Sequence, residues 1–152
     1  MLRTSQVNAR ALGCLRRRDK KNDMKIRIVR LGKARHPAES LRIGTVRRPP
    51  HGVPKPEYAT RDHYDVWLPE LAPSALLVSW ALSEPFNDKR WAEYVRKYRR
   101  EMRGPSAARV LTLLAARSLK TSFSVGCCCE DGEHCHRRLL RELLIEHGAT
   151  DE

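Results

Sequence analysis

Nowhere do about 18 apolar residues follow one another, which excludes a membrane-spanning helix. A secretory leader with a long apolar stretch is also missing. No internal repeat or low-complexity tract stands out beyond the first two dozen residues, which excludes a repeat array. The cysteines are not spread through the chain as a disulfide framework would need. Four of the five crowd into positions 127–135, three of them consecutive. Crowding of this kind argues for free thiols or thiolate ligands in a reducing cytosol. Acidic residues are scarce, 18 against 30 Lys and Arg, so the formal charge is +12. Such an excess favours polyanions: nucleic acid, phosphorylated ligands and acidic membrane surfaces. It speaks to association and not to mechanism.

What is present is one domain's length of chain, enough to bury a real core. Residues 1–23 are Arg-rich, acid-poor and without strong apolar periodicity. They read as a disordered extension or an upstream mis-start, with Met24 opening the folded part, residues 24–152. A transit peptide or a basic arm for nucleic acid fits the same composition. Lys25 to Leu31 alternates as a strand, and residues 41–47 form a second one, with Leu41, Ile43 and Thr45 on one face. Pro49, Pro50, Pro54 and Pro56 then impose a stiff basic loop carrying Arg47, Arg48, His51 and Lys55. Rigid loops lose little entropy on binding, so this one suits an anion, though a solvated connector has the same composition.

Residues 58–71 read as an aromatic loop. Pro73-Ser74 opens a helix over 75–82 that shows Leu76, Leu77 and Trp80 to the core. Asn87-Asp88 caps the next helix, 89–103. Its Trp91, Tyr94, Val95, Tyr98 and Met102 recur at helical spacing and are assigned to the core, not to base stacking. Gly104 stops that helix. Pro105-Ser106 starts an alanine-rich one that ends near Leu119-Lys120. This order of elements predicts an α/β domain with a small, mostly parallel sheet flanked by helices.

Chemistry concentrates in Gly126-Cys127-Cys128-Cys129-Glu130-Asp131-Gly132-Glu133-His134-Cys135-His136-Arg137-Arg138. A β-branched and aromatic run, 121–125, precedes it, and the helical pattern 139–146 follows. Strand, tight loop and helix place reactive groups where open α/β sheets bind ligands. On a continued strand Cys127 and Cys129 share a side, and Cys128 points away and is buried. Asp131 is the expected N-cap of the final helix. Cys135, in its first turn beside His134, His136, Arg137 and Arg138, is the expected thiolate.

Three chemistries stay open. Cys127, Cys129, Cys135 and His136 have the residue types of a zinc site, although the spacing is no familiar finger. Cys135 with His136 as acid/base partner suits nucleophilic catalysis. The loop and Arg137 suit an anion cradle, the cysteines merely packing. In each, Arg47, Arg48, Lys55 and Arg137 are the candidate charge-binding groups. The ligand class is a phosphate-bearing small molecule or nucleic acid, bound by an enzyme or by a non-catalytic module. A purely structural zinc staple also fits.

Cys127-x-Cys129 with Cys135-His136-Arg137 resembles the signature of the family called domain of unknown function 488. The resemblance extends to residues 47–55 and 65–74, and spans roughly Lys25 to Ile145 in order. His51 stands where the family often has arginine. The resemblance implies an α/β fold and little about activity. It also picks out the two loops that residue chemistry selects, which argues for one shared site.

Overall fold

The computed structural model describes residues 25–151. The expected extension 1–23 and its boundary at Met24 lie outside the described residues. Alternation in the first run produces β1 (Ile26–Arg30). Then come β2 (Arg42–Gly44), β3 (Val66–Trp67) and, after three helices, β4 (Phe123–Cys127). The sheet order is β1-β4-β2-β3, and every pairing is parallel. The expected small, mostly parallel sheet is therefore parallel throughout. β4 is central and all five of its residues are buried, as a strand with neighbours on both sides should be.

Four helices build the core. Ser74 accepts from the Leu77 amide to cap α1 (Ala75–Leu82), and Asn87 from the Arg90 amide to cap α2 (Asp88–Met102). Pro105 opens α3 (Pro105–Ser118), and α4 is His136–Glu146. Tyr98, Leu111, Leu140 and Leu144 pack with Ile26, Ile43, Phe123 and Val125 into one cluster. Each such side chain, fully buried, contributes about 1.5–3 kcal/mol.

The other side of the sheet is flat for a reason. Gly44 and Gly126 are register partners on β2 and β4. A Cβ on Gly44 would lie 2.7 Å from Tyr64 Cγ and 2.9 Å from its Cε1; one on Gly126 would meet Leu31 and Val29. Glycines there let Tyr64 and Leu31 lie against the backbone. Tyr64 is buried and cannot step aside. Gly44→Ala should therefore cost about 1–3 kcal/mol by overpacking, read as a lower denaturant midpoint at unchanged slope.

Three expectations change. The second strand is shorter than 41–47. The Thr45 amide still donates to Gly126 O at 2.9 Å, but regular pairing ends before the prolines. Within the expected aromatic loop, Val66 and Trp67 pair with Ile43 and Gly44 as β3. Leu76 is 84% exposed rather than core, and Leu77 alone is buried on α1.

Candidate functional site

In a parallel sheet all the carboxyl ends lie on one edge. β4 reaches that edge at Cys127, the chain loops over 128–134, and α4 returns from His136. This brings three sulfurs together. The Sγ atoms of Cys127, Cys129 and Cys135 all lie within 4.8 Å of one another, and Cys127 and Cys129 are 3.4 Å apart. Cys127 and Cys135 are buried and Cys129 is exposed. Cys128 is exposed too, not buried: the strand ends at Cys127, so strand alternation no longer governs the next residue.

Without a metal the cluster holds its negative charge on one sulfur. Hydrogen bonds from Cys127 and Cys135 hold Cys129 far below the usual thiol range, against burial, and the charge of Arg137 adds to this. Donation to its two neighbours and then burial push Cys127 far up. For Cys135, the hydrogen bond with Cys127 and the Arg137 amide pull down. Donation to Cys129, burial and the Cys129 charge outweigh them and push it up to about 11. The helix terminus thus favours an anion at Cys135, but the neighbouring thiolate wins.

Cys135 itself is the N-cap of α4, and His136 is its first residue. The expected cap, Asp131, sits earlier. Its Oδ1 accepts from the amides of Glu133 (2.9 Å) and His134 (3.3 Å), closing a turn ahead of the helix. Its Oδ2 lies 2.7 Å from His134 Nδ1.

His136 is buried and pushed down to about 4, chiefly by burial, so its ring is neutral at neutral pH. Its Nε2 is 2.8 Å from Thr45 O, which can only accept, so Nε2 carries the proton. Thr45 Oγ1 donates to Gly126 O at 3.0 Å and lies 3.2 Å from the same Nε2. Nδ1 is left as an acceptor 3.7 Å from Cys135 Sγ. A histidine that donates its far nitrogen to a carbonyl is oriented as metal-ligating histidines are.

The cluster lies at a cavity of about 780 Å³, lined by Cys127, Cys129, Cys135 and His136, and by Arg47 and Arg48 from the end of β2. The two stretches singled out in the sequence therefore meet. Arg48 is exposed and makes no hydrogen bond or ion pair among the described residues. Arg47 is tied down: Nε donates to Pro73 O and Nη2 to Ala72 O, both at 2.9 Å. Lys55 is exposed and does not line the cavity. Arg137 does not line it either. It is buried, donates to Val29 O at 3.3 Å, and passes so close to Gly132 that a Cβ there would meet Nη2 at 2.9 Å. Its reach to the site is through its charge.

Sequence reasoning missed the aromatic part of the lining. Phe86, Trp91, Tyr94 and His134 line the cavity, and Arg90 lies over the Trp80 ring at 4.3 Å. Trp91 and Tyr94 occupy the core-facing stripe of α2, but they are only half-buried, at the end of the stripe nearer the cavity. Helical periodicity finds the stripe; it does not say where the core stops.

No curated protein and no solved structure matches the chain. The sequence profile described as "Active DUF488-N3 subclade" matches residues 26–148. That match covers all four strands of the sheet, the whole cysteine loop and helices α1 to α4, and the chain belongs to the DUF488 family.

Proposed function

We propose that Cys127, Cys129 and Cys135 hold a thiophilic metal ion, zinc first, and that the cavity beside it takes a phosphate-bearing molecule, a small ligand or a nucleic acid. The observation that carries this is the mutual closeness of three sulfurs beside a cavity that also carries Arg47 and Arg48. Tetrahedral zinc with Zn–S of about 2.3 Å needs sulfurs roughly 3.8 Å apart, so the cluster requires only small adjustment. Three protein ligands leave a fourth position for water or substrate, as in catalytic rather than structural zinc sites. A metal there supplies Lewis acidity and a water of lowered pKa. Arg48 supplies an uncommitted guanidinium for phosphate, and Arg47 its remaining nitrogen.

A second reading rests on a different distance. Cys127 Sγ donates to Cys129 Sγ at 3.4 Å, which holds the exposed Cys129 as the thiolate of the metal-free cluster. Cys129 then acts as a nucleophile with no metal.

Elemental analysis of the purified full chain separates the two. The metal reading expects about one zinc per chain, lost in Cys129→Ser and kept in Cys128→Ser. It also expects Cys127, Cys129 and Cys135 to resist alkylation together until a strong chelator is added. A metal-free protein that cannot be loaded, with Cys129 labelling fast, selects the nucleophile. Equal, slow labelling of all four thiols without metal removes both.

A further inference from the structure

The cavity has two unlike walls. One part of the lining carries Arg47 and Arg48; another is made of rings. Tyr98, fully buried, is parallel to Tyr94 with centroids 6.3 Å apart, and Tyr94 stacks on Trp91 at 5.4 Å and 15°. This ladder climbs α2 from the core to the cavity and ends there. Across its end stands His134, edge-on to Trp91 at 5.3 Å and 86°. Phe86 closes the group, 4.4 Å from His134 and 6.3 Å from Trp91.

Two features make this wall hard to explain as packing. Phe86 is 53% exposed, in the short link between α1 and α2, where a polar residue would serve the turn as well. His134 is held by Asp131 with its ring against two aromatic neighbours, although it lies at the surface. Rings held in place at a cavity mouth lose little entropy when a flat group joins them. Aromatic faces stack on any nucleobase, because every base has a π-face.

We infer that the ring wall of Phe86, Trp91 and His134 is a base-stacking slot, and that the ligand of the cavity is a nucleotide. Its base lies against the rings and its phosphate against Arg47 and Arg48. This rests on the reading of the cavity as a site for a phosphate-bearing molecule, and it names the rest of that molecule. A cavity of about 780 Å³ falls within the range of small-molecule sites, which agrees with a mononucleotide.

The test is binding to the full chain, read by calorimetry and by tryptophan fluorescence. The probes are AMP, GMP, CMP and UMP, with ribose 5-phosphate as the ligand that has no base and an oligo(dT) strand as the polymer. At least one nucleotide should bind about tenfold or more tighter than ribose 5-phosphate. Phe86→Ala, at an exposed link residue, should weaken that nucleotide by roughly 5- to 100-fold, the range that stacking on one ring supports. It should leave ribose 5-phosphate unchanged. Arg48→Ala should weaken both. If nucleotides bind no tighter than ribose 5-phosphate, or Phe86→Ala weakens both alike, the slot is wrong while the phosphate site stands. If neither binds, the phosphate site fails and the slot with it. Binding of oligo(dT) alone overturns the mononucleotide in favour of a nucleic-acid strand.

Discussion

Arg42→Met should lower the melting temperature by roughly 10–20 °C, from a loss of about 3–5 kcal/mol. Arg42 sits at the start of β2 with its side chain 1% exposed, and its partner Glu39 is at 0%. The guanidinium is fully used. Nε and Nη2 donate to the two oxygens of Glu39 at 2.6 and 2.9 Å. Nη1 donates to Lys33 O and Asp62 O, both at 2.7 Å. One buried cation thus gathers the loop after β1, the loop before β3 and the head of β2. Methionine fills much of the volume but leaves the buried Glu39 carboxylate without its cation and the Lys33 carbonyl without its donor, while the Asp62 carbonyl keeps only the Gly32 amide. The double variant Glu39→Leu with Arg42→Met should recover a good part of the loss, since a buried pair replaced whole by apolar residues is often neutral. A single-variant cost within the ±0.5 kcal/mol of an ordinary surface change would sink this account.

The same pair sets an acid limit. Burial alone would raise the Glu39 carboxyl, but the hydrogen bond and charge of Arg42, with the His36 amide, bring it below its ordinary value. A carboxylate with a depressed folded-state pKa contributes stability above its unfolded pKa and loses it as pH falls through the folded one. The wild type should therefore lose stability on the acid side below about pH 4.5, and Glu39→Gln should flatten that limb.

The sheet and helices were legible because their signals are local. Alternation marks β1, a β-branched and aromatic run marks β4, and Asn87, Ser74 and Pro105 mark helix starts. β3 was not, since two residues ahead of Pro69 carry no period and become a strand only by pairing with β2. The cysteine cluster was legible as a set of residue types, and its partner loop as a basic run. Which cations face the cavity was not. Arg47, Arg48, Lys55 and Arg137 look alike in sequence. Yet only the first two line the cavity, Lys55 lies away from it and Arg137 is spent beneath the loop. The same holds for Asp131, a good cap by residue type that closes a turn four residues ahead of the N-cap. Long-range placement decides these cases, and no local pattern encodes it.

If the three sulfurs hold the proposed metal, its removal should lower the melting temperature of the wild-type chain by about 10 °C or more, and leave Cys129→Ser unmoved. A ligand that binds only the folded state stabilises it by about 4 kcal/mol when it stands at a thousand times its dissociation constant. The sulfurs come from the end of β4, from the loop and from the N-cap of α4, so one ion there would tie three pieces of chain. Apart from the His134 ring packed on Phe86 and Trp91, side chains hold that loop weakly. Arg30 with Glu130 and Arg138 with Glu133 are exposed pairs, worth no more than about 1 kcal/mol each. The first turn of α4 also lacks a side-chain cap. Without the ion, closely set thiols share one negative charge, and two of them must keep their protons in a buried place. The measurement is thermal melting with and without a strong chelator, for wild type, Cys128→Ser and Cys129→Ser. Cys128→Ser should behave as wild type because Cys128 lies outside the cluster. A chelator that leaves the zinc-loaded wild type unmoved, or that lowers Cys129→Ser equally, would show that the three sulfurs do not tie the loop through a metal.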